Sequence, residues 1–327
     1  MPKLSCLLPD PAFSGSLRDM DTRAEHATSM ATLVDAVNRY TARQSGESPF
    51  YTIADGLVVL RAQCHRHPTQ LIHKPALCIV VQGAKWTAFG AHKLVYRAGE
   101  ALVVNLEMPG ASQVIEGSAD RPYLSIVIEL DQAATREVLA QLDSPPAADT
   151  DAPESAFVMP LESELIDCAS RAIRLLETPD AVPVLYPLLM REICYWLLSG
   201  PHGGRIANAI VGGERHVGVV KAMHVLRERF AQPFRIEELA AFAKLSPSAF
   251  HHKFKALTCV TPLQYQKQIR LLEARRLMAA GEANVQSAAA RVGYESASQF
   301  NREYTRMFGA PPKRDISTFG RVGRRSS

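Results

Sequence analysis

The sequences SPSAFHHKFKALTCVTP (residues 246–262) and SASQFNREYTRMFGAPP (296–312) are two versions of one pattern. Offset by 50 residues, Ser246 falls on Ser296, Ser248 on Ser298, Phe250 on Phe300, Phe254 on Tyr304 and Pro262 on Pro312, which marks an internal duplication. Each copy follows a short amphipathic segment, with Ile236, Leu239, Ala240 and Ala243 in the first and Val285, Ala288, Ala289 and Val292 in the second. Both sets keep the 0, +3, +4, +7 spacing of one helix face. A tight turn follows, Lys244-Leu245 or Gly293-Tyr294-Glu295, and then a serine placed to cap a new helix, with Pro247 at its first position in copy one. Two short helices joined this way make a helix-turn-helix, and the chain carries two.

Between the copies, residues 262–280 read as one uninterrupted helix ended by Gly281, with Leu263, Ile269, Leu272 and Leu277 as apolar positions. About 19 residues at about 1.5 Å each span roughly 28 Å. One turn of B-DNA is roughly 34 Å, so a rigid helix of this length suits two second helices placed in successive major grooves. Within those helices, Phe250, Phe254 and Leu257 face inward and leave Ser248, His251, His252 and Lys255 outward. The duplicate puts Phe300, Tyr304 and Met307 inward and Ser298, Asn301, Arg302 and Thr305 outward. An arginine can bond bidentately to guanine and an asparagine to an adenine edge, so Arg302 and Asn301 are the sharpest candidate base readers, with Ser248, His251, His252 and Ser298 less discriminating. Lys253, Lys255 and Arg306 are assigned to phosphate, as are the helix starts at Ser246 and Ser296, where free amides point outward. Arg270, Arg275 and Arg276 on the joining helix admit two readings, phosphate contacts or structural ion pairs.

The stretch from about 215 to 315 resembles the DNA-binding domain of AraC/XylS-type transcription regulators. The resemblance is carried by Gln264-Tyr265, Arg270-Leu271 and Ala274-Arg275 in the long helix, then by Val292-Gly293-Tyr294-Glu295-Ser296 and Phe308-Gly309-Ala310-Pro311-Pro312. One departure is Cys259, where the family usually has glycine, as Gly309 is in the second copy.

Charge agrees with this division. Of 37 basic and 33 acidic residues, 20 and 9 lie in 212–327, leaving 17 and 24 in the remainder, so a basic C-terminal region is joined to an acidic partner. That asymmetry is expected when one half meets phosphate. The six cysteines, Cys6, Cys64, Cys78, Cys168, Cys194 and Cys259, show no paired spacing and read as reduced thiols. No apolar run approaches a membrane span of about 20 residues, and the N-terminus lacks a secretory pattern. A cytoplasmic protein with no membrane partner is expected.

Residues 1–28 lack periodicity and read as disordered, with Met1, Met20 and Met30 as alternative starts. From about 51 to 130 the grammar changes to short β-type runs, at 57–62, 77–82, 85–89, 93–96, 101–105, 113–116 and 123–130. Many short strands with regular turns suggest a barrel or a jelly roll. This half resembles the N-terminal cupin-like domain of a subgroup of AraC-type regulators, through residues 75–85, Tyr96-Arg97-Ala98-Gly99 and Pro122-Tyr123-Leu124. The resemblance implies a domain that receives a small-molecule effector or dimerises.

Two apolar helices are expected in 154–200. The second carries Leu185, Leu188, Leu189, Glu192, Ile193, Trp196 and Leu197 on one stripe, to pack on the barrel or on a second copy of the chain. Residues 201–213, rich in glycine, read as a flexible hinge. The expected fold is multidomain α+β: a cupin-like barrel at 29–142, a helical hairpin at 154–200, an all-α tandem helix-turn-helix at 214–315 and a basic tail at 316–327.

The best rival constellation is Cys64-His65-Arg66-His67 with His73. A metal-holding cupin adds a glutamate and a later histidine because a divalent ion needs three or four converging donors. No glutamate follows at that spacing, and His92 falls in an expected turn. No phosphate loop, G-x-S-x-G elbow or HExxH is present, so no catalytic residue, metal ligand or cofactor is assigned. The expected partner is double-stranded promoter DNA, with an effector, a second copy of the chain and RNA polymerase as candidates. A metal enzyme of the cupin type carrying a DNA-binding domain and a nonspecific architectural DNA binder are the alternatives.

Overall fold

The computed structural model describes residues 17–46, 48–63, 68–147, 155–211 and 214–323. A long helix α1 (Leu17–Ala42) leads into β1 (Phe50–Tyr51), β2 (Leu57–Ala62), β3 (Thr69–His73), β4 (Ala76–Gln82), β5 (Ala84–Phe89), β6 (His92–Arg97), β7 (Glu100–Val104), β8 (Met108–Glu116) and β9 (Tyr123–Glu129). Helix α2 (Gln132–Gln141), strand β10 (Ala156–Pro160), α3 (Ser163–Leu175), a 3-10 turn at Pro179–Ala181 and α4 (Val182–Ser199) follow. The remaining helices are α5 (Gly203–Val211), α6 (Glu214–Glu228), α7 (Ile236–Phe242), α8 (Pro247–Thr258), α9 (Pro262–Ala279), α10 (Val285–Arg291), α11 (Ala297–Phe308) and α12 (Pro312–Gly323).

The strands form two antiparallel sheets, β1-β2-β9-β4-β7-β10 and β3-β8-β5-β6. Alternation along β4 divides the core: Leu77, Ile79 and Val81 face a layer of helices, while Val80 joins Phe89, Tyr96, Leu102, Val104 and Tyr123 between the sheets. The helix layer is built from Leu33 and Val37 of α1, Leu165, Ile166 and Ile173 of α3, and Leu189, Ile193 and Leu197 of α4. Residues 179–199 are long and apolar enough to cross a membrane by length and composition, yet one face of α4 is part of this layer. The single stripe expected on α4 therefore splits. Leu189, Ile193 and Leu197 are buried, whereas Val184, Leu185, Leu188 and Tyr195 are exposed.

Several segments differ from the expectation. Residues 17–28, expected to be disordered, form the first turns of α1, and the His26 Nε2 ring nitrogen lies 2.8 Å from the Leu161 carbonyl oxygen. Residues 203–211, expected within a hinge, form α5, because Ile206 and Ala207 enter the helix layer and the Arg205 guanidinium stacks 3.8 Å from the Phe157 ring centre. The tail expected from 316 is helical through Gly323. His92 opens β6 instead of lying in the turn. Strand β10 falls at the start of the stretch expected to form the helical hairpin, paired in register with β7 from Ala156 opposite Val104 to Pro160 opposite Glu100.

The first helix-turn-helix does not stand apart from the barrel. Leu257, Val260, Tyr265 and Ile269 belong to the same buried cluster as Val80, Phe89 and Tyr123. Tyr265 donates its hydroxyl to the Glu107 carbonyl at 3.0 Å, Arg227 pairs with the Glu107 carboxylate at 2.6 Å, and the Ser155 hydroxyl donates to the Leu257 carbonyl. Gly90, in the β5–β6 turn, has φ +57°, and a Cβ there would meet the Cys259 carbonyl oxygen at 2.4 Å.

Candidate nucleic-acid interface

Both recognition helices start as their sequences require. Ser246 Oγ accepts from the Ala249 amide and Ser296 Oγ from the Gln299 amide, each at 3.3 Å. A side-chain oxygen here satisfies one of the orphan amides of the first turn and leaves others facing out. Both helices end on a left-handed residue, Cys259 at φ 61° and Gly309 at φ 75°, whose amides bond back to Lys255 and Thr305. The joining helix α9 is closed at its start by a full capping box between Thr261 and Gln264. Its 18 residues make a strut of about 27 Å at about 1.5 Å per residue.

Phe250, Phe254, Phe300 and Tyr304 are fully buried, so each recognition helix is pinned by two aromatic side chains. The opposite face is free in both copies. Ser248, His251, His252 and Lys255 of α8 and Ser298, Asn301, Arg302 and Arg306 of α11 are exposed, as are Ser246 and Ser296, while Lys253 is half-buried. Thr305 is turned aside: it donates its hydroxyl to the Asn301 carbonyl at 2.8 Å. Asn301, Arg302 and Arg306 front a shallow concavity of about 720 Å³ with Val285, Pro312 and Lys313. Lys255 and Arg306 also line a recess of about 510 Å³ whose far wall is Gln70 and the Gly90-Ala91 turn of the barrel. The fold thus brings candidate phosphate groups of both units together at the barrel edge.

The three arginines of α9 are engaged in structure. Arg270 donates to the carbonyls of Phe230, Ala231, Gln232 and Gly293 at 2.7 to 3.1 Å, tying the loop before α7 to the turn of the second unit. Arg275 forms a paired contact with Asp315 at 2.8 and 3.0 Å, and Tyr304 donates to the same carboxylate at 2.7 Å. Burial, reinforced by that carboxylate, keeps the Tyr304 phenol protonated far above its usual range. Arg276 bridges Glu273 and Glu282. No helical periodicity announces Asp315 or the 230–232 carbonyls as their partners.

His65 and His67 lie outside the described residues. Among the described residues no group of three or more His, Cys, Asp or Glu is placed to hold a metal ion. His73 is buried between the sheets, packed edge-on to Phe89 at 5.2 Å.

Residues 54–205 match the family profile for the AraC-type transcriptional regulator N-terminus, and residues 239–316 match that of a helix-turn-helix domain. The chain belongs to the AraC-type transcriptional regulators. Among AraC-type relatives, the HTH-type transcriptional regulator AlkR of Acinetobacter baylyi is 35% identical over 92 residues, 28% of this chain and 29% of AlkR. The HTH-type transcriptional activator RhaS of Klebsiella pneumoniae is 35% identical over 91 residues, 28% of this chain and 32% of RhaS. The matched stretch spans about a third of each of these curated relatives. The fold extends further than the sequence identity. Unsaturated-fatty-acid-bound ToxT of Vibrio cholerae superposes with TM-score 0.54 at 10% identity, over 84% of this chain and 96% of ToxT.

Proposed function

We propose that this protein is a cytoplasmic, non-catalytic, sequence-specific regulator of transcription, which binds promoter DNA through α8 and α11 in successive major grooves. The observation that carries the reading is the twin exposed stripe: two pinned helices present polar and basic side chains at matching positions, joined by a rigid strut of about 27 Å, a little short of the roughly 34 Å of one DNA turn. Arg302 and Asn301 read base edges, Ser248, His251, His252 and Ser298 add contacts, and Lys253, Lys255, Arg306 and the helix starts at Ser246 and Ser296 hold phosphates. The barrel receives a small-molecule effector. RNA polymerase is the further partner that a promoter-bound regulator would meet.

The test selects bound sites from genomic DNA and then competes the best site against random duplex at fixed salt. A preference of about 10³-fold or more is expected of a specific binder, whereas equal competition would make the protein architectural. Stoichiometric bound metal lost on replacing His65 and His67 would favour the cupin-enzyme alternative.

A second copy of the chain is the partner proposed for the outer face of α4. Leu189 is buried and Trp196 packs against the helix layer, so the exposed Val184, Leu185, Leu188 and Tyr195 are the residues to alter. Leu185→Glu with Leu188→Glu should convert a dimer to a monomer in sedimentation, with helix content unchanged and a melting temperature that no longer rises with protein concentration. A wild type that is monomeric at micromolar concentration ends this part of the reading.

A further inference from the structure

A recess of about 520 Å³ opens between one end of the six-stranded sheet and the helices α2 and α4. Its apolar lining includes Leu130, Ala134, Tyr186 and Met190, which belong to the helix layer and not to the cluster between the sheets. Four carboxylates also line it, those of Asp55, Glu129, Asp131 and Glu137. The fold gathers them from separate places. Gly56, at φ +74°, lies so near β9 that an added Cβ would meet Glu129 Cβ at 2.9 Å, and the Glu129 amide donates to the Gly56 carbonyl at 2.8 Å. This close approach sets Asp55 against the end of β9. Asp131 opens α2, where its carboxylate accepts from the Ala133 and Ala134 amides at 2.7 and 3.1 Å.

Cations of the chain answer only part of this charge. Arg191 pairs with Glu137, and the Lys74 ammonium donates to Glu129 Oε2 at 2.8 Å. Glu129 Oε1 and the exposed carboxylate of Asp55 have no partner among the described residues. Tyr186 stands behind them. It is 7% exposed, and its hydroxyl is buried with no hydrogen-bond partner. Burial raises the phenol and the charges of Asp55 and Glu129 raise it further, so the hydroxyl lies on the carboxylate side of the wall. A buried tyrosine hydroxyl ordinarily finds a partner, and one left without is costly. Two open carboxylate acceptors and an unpaired hydroxyl match the three donors of an ammonium. A metal ion fits less well, because among the described residues no three carboxylates, imidazoles or thiols are placed to hold one.

We propose that this recess binds an organic cation, a primary amine with an apolar body, its ammonium on Asp55, Glu129 Oε1 and the Tyr186 hydroxyl and its body against Leu130, Pro187 and Met190. The site shares no lining residue with the cluster between the sheets and stands whether or not the barrel takes an effector. An anionic ligand would meet unpaired carboxylates, and a neutral one would leave them uncompensated. The rim at Pro187 adjoins the exposed Leu188 of α4, so a basic side chain from a second copy is the competing occupant.

The full chain is titrated calorimetrically at neutral pH with hexylamine and 2-phenylethylamine, each against the alcohol of the same skeleton. At least one amine should bind tenfold or more tighter than its alcohol, and Asp55→Asn, at an exposed and unpaired group, should erase most of that preference. Tyr186→Phe should weaken the amine severalfold while the melting temperature of the free protein holds or rises, because the change removes an unpaired buried hydroxyl. A tyrosine that served packing alone would leave amine binding untouched. Should Tyr186→Phe misfold, Asp55→Asn decides by itself. Equal binding of amines and alcohols, or a preference unchanged in either folded variant, overturns the proposal. So does a wild type indifferent to amines whose self-association Asp55→Asn weakens, which would give the recess to a second copy of the chain.

Discussion

The two helix-turn-helix units share a sequence pattern and differ in what stands behind them. In the first, Phe250 and Phe254 continue into a cluster that runs through Val260 and Tyr265 to Phe89 and Tyr123 of the barrel. In the second, Phe300 and Tyr304 close a cluster of their own with Leu271, Ala288 and Val292. The second is tied to α12 through Asp315 and to the first unit through Arg270. The two copies thus keep the capping serines and the inward aromatic pair, while the outward side chains, Ser248 and Ser298 apart, and the surfaces behind them differ. Both recognition helices approach the barrel, α11 across the recess that Arg306 lines with Gln70, but only the first shares a buried core with it.

The turns of the two units offer the largest test. Lys244 and Gly293 occupy matching left-handed positions, at φ 54° and φ 83°. The Lys244 side chain is exposed, whereas a Cβ on Gly293 would sit 1.9 Å from the Ala231 carbonyl oxygen and 2.8 Å from its carbon. Gly293→Ala combines left-handed strain with a backbone clash and should cost roughly 3–5 kcal/mol in thermal unfolding. Lys244→Gly should instead stabilise by up to about 1 kcal/mol. Similar effects of the two substitutions would mean that the units are packed alike after all.

Arg270→Met comes next. The guanidinium satisfies carbonyls on both sides of the boundary between units, and its loss should cost about 3 kcal/mol because charged hydrogen bonds are replaced by unpaired buried acceptors. The asymmetry is the sharper readout: hydrogen exchange should quicken in α10 and α11 more than in α7 and α8, which the barrel still holds. Equal acceleration in both units would remove the claim that the first is anchored independently.

Much of this is legible in the sequence alone. Phe250 and Phe300 announced both recognition helices, and strand 57–62 coincides with its expected bounds, because aromatic spacing and β-branched runs are strong local signals. Helix α5 was hidden because Gly203 and Gly204 disfavour a helix locally, and it forms through burial of Ile206 and Ala207, a tertiary effect. Strands β3 and β10 were missed for a related reason: five residues carry little periodicity, and β10 is specified by its pairing with β7. The recess beside Tyr186 is illegible in the sequence because Asp55, Glu129 and Glu137 meet α4 only through tertiary packing. The available clue is Gly56, which marks the tight turn that sets Asp55 against β9.

A further comparison separates reading from holding. Arg302→Ala should cost roughly 1–3 kcal/mol on the preferred site, mainly by relaxing discrimination at one base pair, since a lost bidentate contact removes sequence information. Lys255→Ala should weaken binding to all sequences alike and reduce the slope of log affinity against log salt by about one unit. If both variants lost affinity uniformly with unchanged base preference, the second unit would be gripping backbone and the first would carry the specificity.

The smallest effect is expected where the two helix ends differ, at Cys259 and Gly309. A non-glycine residue in the left-handed region costs roughly 1–2 kcal/mol, so Cys259→Gly removes strain. The same change deletes a half-buried thiol packed beside the barrel-contacting cluster, a loss of about 0.8 kcal/mol if the thiol is worth one buried methylene, and it frees the unfolded chain as well. These terms oppose one another, and the net should be a stabilisation below about 1 kcal/mol, with DNA affinity and its salt slope unchanged. Burial pushes the thiol above its usual titration range, so it should react slowly with alkylating reagents at neutral pH. A loss of more than about 1 kcal/mol on Cys259→Gly would show that the thiol's contacts, and not backbone conformation, decide the residue. The first helix end would then be specified by its dock on the barrel, and the contrast with Gly309 would extend from the back face to the end of the recognition helix itself.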